Sequence, residues 1–173
     1  MEIREARESD LTAIRQVHLN AFGEEGETIA ELVSALFVDA TAQPLLALVA
    51  ETGGEVVGNV IFSTVRIEGA GTVSACILAP LAVARRHQGR GIGRALIERG
   101  LSVLRARGVD AVFVLGDPRY YGPRGFSAHH RVRAPYDILY PEAWMAIALQ
   151  GDPLESLSGQ LVCPRALSDP KYW

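Results

Sequence analysis

Long apolar runs are missing from this chain of 173 residues, which argues against a segment that crosses a membrane. The first residues, Met1–Glu5, lack the apolar core of a signal peptide. Cysteine is scarce as well: Cys76 and Cys163 are too few for a disulfide framework, and neither has metal-ligand spacing to a histidine. These absences predict a cytoplasmic protein with reduced thiols and no bound metal.

An excess of positive charge is also lacking. The chain has 17 Lys+Arg against 20 Asp+Glu, a net charge of -3, which does not favour nucleic acid or an acidic membrane as a partner. Hydrophobic residues make up 49% of the chain and charged residues 21%, an ordinary globular balance. We expect one domain over residues 1–173, long enough to bury its own core. The sequence leaves a homodimer open.

What the chain does have is a basic, glycine-rich turn between an apolar run and a helical pattern. The apolar run ends at Leu81–Val83, the turn covers Gly89–Arg94, and apolar residues at helical spacing follow. Amides in the first turn of a helix have no internal acceptors, and with the helix dipole they favour an anion. The three glycines allow close approach to the backbone, and Arg90 and Arg94 can add charge. The pattern predicts a pyrophosphate cradle.

The spacing excludes two other phosphate-binding loops. A P-loop needs a lysine directly after its second glycine, and the single lysine of this chain is Lys171. A dinucleotide fingerprint needs a third glycine at the position that Arg94 occupies. An ordinary strand-to-helix turn, glycine-rich for packing, remains the alternative.

Two motifs resemble those of one enzyme superfamily. Gln88, Gly91 and Gly93 form Gln-x-x-Gly-x-Gly, which is similar to the acetyl-CoA-binding motif of the GCN5-related N-acetyltransferase (GNAT) superfamily. Tyr121 with Gly125-Phe126 is similar to the Tyr-x-x-x-Gly-Phe element of many of its members. The Gly-Asp-Pro ahead of the tyrosine pair resembles a bacterial branch of predicted N-acetyltransferases.

The order of predicted elements extends the resemblance over residues 1–150. Periodicity and turn residues predict β-α-α-β-β-β-α-β-α-β-β, with Thr28–Glu31 as a capping box for the second helix. A strand, a crossover helix and a strand imply that Val109–Leu115 runs parallel to Val73–Val83. We expect an α/β (α+β) GNAT-like fold: a central, mostly antiparallel mixed sheet with a splayed parallel pair at the cofactor site and helices on both faces. Residues 151–173 are predicted to form a loop-rich extension.

The resemblance implies direct transfer of an acetyl group from acetyl-CoA to a primary amine of a small molecule or peptide. The cofactor arm would enter the gap between the splayed strands, where the backbone N–H of Leu81 polarises the acetyl carbonyl. Tyr121 would act as the general acid and give a late proton to the leaving thiolate. The predicted cofactor-binding residues are Leu81, Ala82, Val83, Gln88, Gly89, Arg90, Gly91, Ile92, Gly93, Arg94, Asp117 and Tyr121.

The acceptor side is less defined by the sequence. Glu24 and Glu25 lie in the break between the first two helices, where a carboxylate can attract a cationic amine, although a solvated loop explains them too. No glutamate or histidine lies within Leu78–Val83, so no general base is predicted. Asp117 stands where other members have asparagine and is expected mainly to cap a helix. Aromatic residues that can line the acceptor pocket, or simply pack, are Tyr136, Tyr140 and Trp144.

Two alternatives to this function stay open at the level of sequence. A non-catalytic module that senses acyl-CoA would need the same pyrophosphate cradle. An acyltransferase with a different acyl chain or a hydroxyl acceptor would need only a different pocket.

Overall fold

The computed structural model describes residues 1–152 and 154–173. Within them, helices and strands follow the predicted order over the first 150 residues, joined by short 3-10 turns, and one further strand lies in the segment predicted as a loop-rich extension. The elements are β1 (Glu2–Glu5), α1 (Leu11–Phe22), α2 (Gly26–Val38), β2 (Leu46–Thr52), β3 (Glu55–Ile67), β4 (Ala75–Val83), α3 (Ile92–Ala106), β5 (Ala111–Leu115), α4 (Pro118–Tyr121), β6 (Arg131–Arg133), β7 (Trp144–Ala148) and β8 (Ser158–Val162).

One mixed sheet organises these elements. Its strands lie in the order β1-β2-β3-β4-β5-β7, and the neighbours pair antiparallel except for β4 and β5, which are parallel. β8 pairs with the far end of β3 at Arg66 and Ile67 and runs parallel to β6. The predicted fold class, a mostly antiparallel sheet with one parallel pair, is confirmed.

Helices cover both faces of the sheet because side chains alternate along its strands. In β2, Val49 packs in the same core as Leu36 of α2, whereas its neighbour Leu48 packs in the same core as Leu96 of α3. α1 and α2 therefore cover one face and α3 covers the other, so helices lie on both faces, as predicted. Within the described residues, every helix is too short or too polar to cross a membrane.

The parallel strands separate partway along their length. β4 and β5 pair only from Ala75 opposite Ala111 to Ile77 opposite Phe113, although β4 continues to Val83. The last six residues of β4 thus have no strand beside them on that edge. A bulge lies in the same stretch, because Val60 of β3 is opposite Leu81 and Phe62 is opposite Leu78. The gap predicted between these strands is present.

Some predicted boundaries are wrong. The second helix begins at Gly26 rather than at a Thr28 cap, and no side chain caps its N-terminus. Residues Gly23–Glu25 already form a 3-10 turn that runs directly into α2, so Thr28 lies inside the helix rather than at its start. The sequence pattern also predicts a strand over residues 131–138, of which only Arg131–Arg133 forms β6.

Candidate functional site

Two cavities meet where β4 leaves β5. The first, the α3 cavity, has a volume of about 480 Å³, and the second, the C-terminal cavity, about 650 Å³. Leu81 lines both of them. The remaining residues of the α3 cavity are Ala82, Val83, His87, Gln88, Gly89, Gly91, Ile92, Gly93, Arg94, Tyr120 and Arg124. Those of the C-terminal cavity are Phe22, Glu25, Thr28, Ile29, Leu32, Leu78, Ala79, Pro80, Leu115, Tyr121, Leu167, Lys171 and Tyr172.

The α3 cavity contains the predicted anion cradle. Gly91 caps α3 with a left-handed backbone (φ 79°), a conformation that favours glycine, and no side chain occupies the cap. The amides of Ile92, Gly93 and Arg94 belong to the first turn of α3 and have no acceptor inside the helix. All three residues line the cavity, so donors and the positive end of the helix dipole converge there. The arrangement fits a pyrophosphate group.

Side-chain hydrogen bonds hold the loop before α3 in place. The Nε2 group of Gln88 donates to the carbonyl oxygen of Val83 (2.9 Å), which ties the loop back to the end of β4. The backbone N–H of Arg85 donates to Oδ1 of Asn20 on α1 (2.7 Å). These two hydrogen bonds attach the loop to β4 and to α1 before the chain enters α3.

Gly93 is small because a tyrosine lies directly over it. A Cβ at this position would collide with the hydroxyl oxygen of Tyr120, while the next ring atom is 3.7 Å away. The guanidinium of Arg124 lies 4.0 Å from the centre of the Tyr120 ring, and Arg124 lines the same cavity. Sequence reasoning missed both Tyr120 and Arg124 as residues of this cavity, because only the fold brings α4 beside the α3 N-terminus.

The backbone of Leu81 points into the gap. The N–H of Ala84 donates to Val57 of β3 (2.9 Å), and antiparallel residues alternate between bonded and non-bonded pairs. Ala82 therefore faces β3 with its backbone groups, whereas Leu81 and Val83 face away from it. The position of the Gln88 amide on the Val83 carbonyl agrees with this direction. The Leu81 N–H is thus aimed at the space between β4 and β5.

Tyr121 is held firmly at the wall of the C-terminal cavity. Its ring packs against Gly116, where a Cβ would collide with the ring, and makes an edge contact with Phe126 at 5.6 Å. Gly125 adopts a left-handed backbone (φ 95°) that turns the chain so that Phe126 reaches this ring. Burial raises the pKa of the Tyr121 hydroxyl above its usual value, so the group stays protonated at neutral pH and acts as a donor.

The C-terminal segment closes the second cavity. Leu167, Lys171 and Tyr172 line it together with residues of α1, α2 and β4. Trp173 anchors this segment by donating from Nε1 to the carbonyl oxygen of Leu167 (2.7 Å) and by an edge contact with Trp144 at 5.7 Å. The residues predicted as a loop-rich extension therefore complete a wall of the site.

Other predicted site residues are more dispersed. Glu25 lines the C-terminal cavity, whereas Glu24 is exposed and outside its lining. Arg90 is exposed and also outside the lining of the α3 cavity, and Arg94 lines that cavity while pairing with Glu98 (2.7 Å). Asp117 caps α4 by accepting from the backbone N–H of Arg119 (2.8 Å) and lines neither cavity.

The aromatic candidates for the acceptor pocket lie elsewhere. Tyr136 and Trp144 line a separate cavity near β6, and Tyr140 is 61% exposed. Cys76 is buried in the sheet, and burial raises the pKa of its thiol to about 12. A thiol of this kind remains protonated and is a poor nucleophile.

Comparison with known protein families gives one match over most of the chain. Residues 2–129 match the model of the acetyltransferase (GNAT) domain. Among curated proteins, the uncharacterized N-acetyltransferase YjhQ of Escherichia coli K12 is 39% identical over 163 residues, which cover 90% of this chain and 87% of that protein. The uncharacterized N-acetyltransferase YhbS of the same strain is 37% identical over 117 residues, 66% of this chain and 69% of YhbS.

Solved structures share the fold. The GNAT family N-acetyltransferase YhbS from Escherichia coli in complex with CoA has a TM-score of 0.84 and 32% identity, over 92% of this chain and 87% of that one. A GNAT family acetyltransferase from Brucella melitensis in complex with acetyl-CoA has a TM-score of 0.78 and 32% identity, over 96% and 97% of the two chains.

Proposed function

This chain belongs to the GNAT family of acetyltransferases, and from that premise we propose that it transfers an acetyl group directly from acetyl-CoA to a primary amine. The observation that carries the proposal is the meeting of the two cavities at Leu81. One cavity has the amide donors that suit a pyrophosphate. The other is also lined by Leu81 and has the size of a small-molecule site.

In this proposal the α3 cavity holds acetyl-CoA. The amides of Ile92, Gly93 and Arg94 bind the pyrophosphate, and Arg124, which lines the same cavity, adds a positive charge. Gln88 acts mainly by holding the loop to β4, and Asp117 acts by capping α4. The cosubstrates bound to the Escherichia coli and Brucella melitensis relatives, CoA and acetyl-CoA, support this assignment.

The acetyl group would lie beside Leu81 and Tyr121. The N–H of Leu81 donates to the thioester carbonyl and stabilises the oxyanion that forms when the amine attacks. The Tyr121 hydroxyl faces the leaving sulfur. Because its pKa is raised above that of a thiol, we assign to it a hydrogen bond to the developing thiolate more than complete proton transfer. The proposed role of Tyr121 is therefore that of a hydrogen-bond donor, which is more limited than the general-acid role expected from the sequence.

The buried Cys76 supports direct transfer over an acyl-enzyme. Its thiol stays protonated and lies outside the lining of both cavities, so it is a poor nucleophile. Family membership makes the chain an acetyltransferase, which disfavours a purely sensory module.

Replacing Tyr121 tests the proposal. With acetyl-CoA and a panel of amines, the wild-type protein should release thiol in an amine-dependent manner. Tyr121→Phe should lower kcat by about 10- to 100-fold, with a smaller change in the KM for acetyl-CoA, because only the hydrogen bond made in the transition state is lost.

A matched control is Tyr140→Phe, which makes the same change at an exposed tyrosine outside both cavities and should leave kcat unchanged. Amine-independent thiol release, or none with any amine, would contradict the proposed transfer. An unchanged kcat for Tyr121→Phe would contradict the role of the hydroxyl alone.

A further inference from the structure

The C-terminal cavity carries two opposite charges on otherwise uncharged walls. Glu25 and Lys171 are its charged lining residues, and most of the other side chains are apolar, among them Ile29, Leu32 and Leu115. An apolar wall disfavours charge that has no partner, so the charges on a bound molecule should match these two. The residues that line the cavity therefore indicate which charges a bound molecule should carry.

The negative side of the cavity is Glu25. Of the acidic residues around the α1–α2 corner, Glu27 faces α1, with its carboxylate 4.0 Å from the guanidinium of Arg15, and Glu24 is outside the cavity lining. Among the described residues, the carboxylate of Glu25 has no hydrogen bond and no ion pair. It is available to a cationic group inside the cavity.

The positive side is Lys171. Its nearest acidic partner is Asp169, with Nζ and Oδ2 4.0 Å apart, a distance at which no hydrogen bond forms. The ammonium lies 5.2 Å from the centre of the Tyr172 ring, and the side chain is about half exposed. An anionic group in the cavity can therefore bind Lys171 through a charge-assisted hydrogen bond without displacing a strong partner.

We propose that the acceptor is an apolar zwitterion: an apolar amino acid, or a short peptide with a free carboxylate. This rests on the proposed function and names the substrate class of the same site. Glu25 attracts the ammonium, Lys171 binds the carboxylate, and the apolar walls take the side chain. A polycation such as an aminoglycoside or a polyamine fits poorly, because its further charges would lie against apolar walls or Lys171.

The reaction then balances as an ordinary amide formation. The amine nitrogen forms the N–C bond with the acetyl carbon, and the C–S bond breaks with its electron pair on sulfur. The ammonium loses two protons in all, one of which ends on the thiolate and the other in solvent. No oxidant or further reactant is needed.

Three acceptors of similar shape test the proposal: leucine, leucinamide and 3-methylbutylamine, each assayed for thiol release with acetyl-CoA. Leucine should have the lowest KM. Lys171→Met should raise the KM for leucine by about tenfold and leave those for the two acceptors without carboxylate within about twofold. Lys171→Arg, which keeps the charge, should restore most of the preference for leucine.

Glu25→Gln should act differently, because all three acceptors carry an ammonium group: their KM values should rise together. Arg165→Met and Glu31→Gln are matched controls, since both residues are exposed and outside the cavity lining. Calorimetric binding of CoA verifies that each variant is folded.

The outcomes separate this inference from the proposed function. Thiol release with amines but no preference for leucine over 3-methylbutylamine would contradict the zwitterionic acceptor and would leave the proposed acetyl transfer standing. So would a preference for spermidine, or an equal effect of Lys171→Met on all three acceptors. No amine-dependent release with any acceptor would overturn the proposed function itself.

Discussion

At the scale of single residues, the glycines of the loop before α3 lie where two parts of the candidate site come into close contact. Gly91 is required by its left-handed backbone, and a Cβ there would meet no atom within 4 Å. Gly93 has an ordinary helical backbone, but it leaves room for the hydroxyl of Tyr120. The same motif therefore needs glycine for two different physical reasons, and a substitution can distinguish them.

We expect Gly93→Ala to raise the Kd for CoA by about tenfold, because the new Cβ displaces the Tyr120 hydroxyl and with it the wall of the α3 cavity. In a Tyr120→Phe background the obstruction is gone, since the nearest remaining ring atom would be 3.7 Å from that Cβ. Adding Gly93→Ala there should change Kd by less than about threefold. Isothermal titration calorimetry measures all four proteins, and an equal penalty in both backgrounds would contradict the contact.

At the scale of elements, a cluster of hydrogen bonds around Asp39 and Thr41 holds the C-terminal segment to the end of α2. The carboxylate of Asp39 accepts from the backbone N–H of Thr41 (2.8 Å) and from that of Ala166 (2.9 Å). Thr41 in turn accepts at its hydroxyl from the N–H of Arg165 (2.9 Å). Burial alone would raise the pKa of Asp39, but the hydrogen bonds from Thr41 and Ala166 outweigh it and lower the pKa.

Asp39→Ala should therefore loosen the segment that carries Leu167 and Lys171. The loss of these hydrogen bonds should lower the free energy of unfolding by about 1–2 kcal/mol and raise the KM for the amine several-fold. The Kd for CoA should stay within about twofold, because the α3 cavity contains no residue of this segment.

Hydrogen exchange of residues 164–173 and denaturant unfolding measure the two effects of Asp39→Ala. Asp137→Ala, at an exposed aspartate outside both cavities, is the control. Equal weakening of CoA binding and amine binding would show that the Asp39 hydrogen bonds support the whole fold rather than the C-terminal cavity alone.

At the scale of the whole molecule, a buried histidine joins α1 to the sheet. Nε2 of His18 lies 2.8 Å from Oδ1 of Asn59, and the amide nitrogen of Asn59 donates to the Leu48 carbonyl (2.9 Å). An amide oxygen can only accept a hydrogen bond, so Nε2 of His18 carries the proton and Nδ1 is unprotonated. Nδ1 is buried without a partner, and burial lowers the pKa of His18 to about 4, against the opposing effect of the Asn59 bond.

This pKa predicts a loss of stability in mild acid. Between about pH 6.5 and about pH 4 the unfolded chain binds a proton at His18 that the folded protein does not, so unfolding becomes easier as the pH falls. The contribution should reach about 2–3 kcal/mol at the lower end of this range.

Urea unfolding of the wild-type protein and of His18→Gln across this range tests the effect. The glutamine amide can still donate to Asn59 but does not titrate, so its curve should be flatter with pH. Because His130, whose pKa burial also lowers, is present in both proteins, the difference between the curves reports His18. Parallel curves would contradict the prediction.

The sequence by itself determined the local and periodic features of this protein. The order of strands and helices, the two buried faces of the sheet and the left-handed cap at Gly91 depend on residues close together in the chain, where periodicity and backbone preference act directly. The same holds for the turn that brings Phe126 to the Tyr121 ring. The boundary at Thr28 is wrong because residues 23–25 already form a 3-10 turn that continues into α2, which places Thr28 inside the helix.

Only the tertiary structure decided which residues share a cavity. Lys171 and Leu81 are far apart in the chain, and no local pattern places the one beside the other. Glu24 and Glu25 are equivalent by sequence, yet the corner of α1 and α2 puts only Glu25 in the lining of the C-terminal cavity. Tyr120 and Tyr121 are neighbours in the chain, yet their rings meet edge to face and line different cavities. Contacts of this kind depend on long-range packing, which a single sequence does not display.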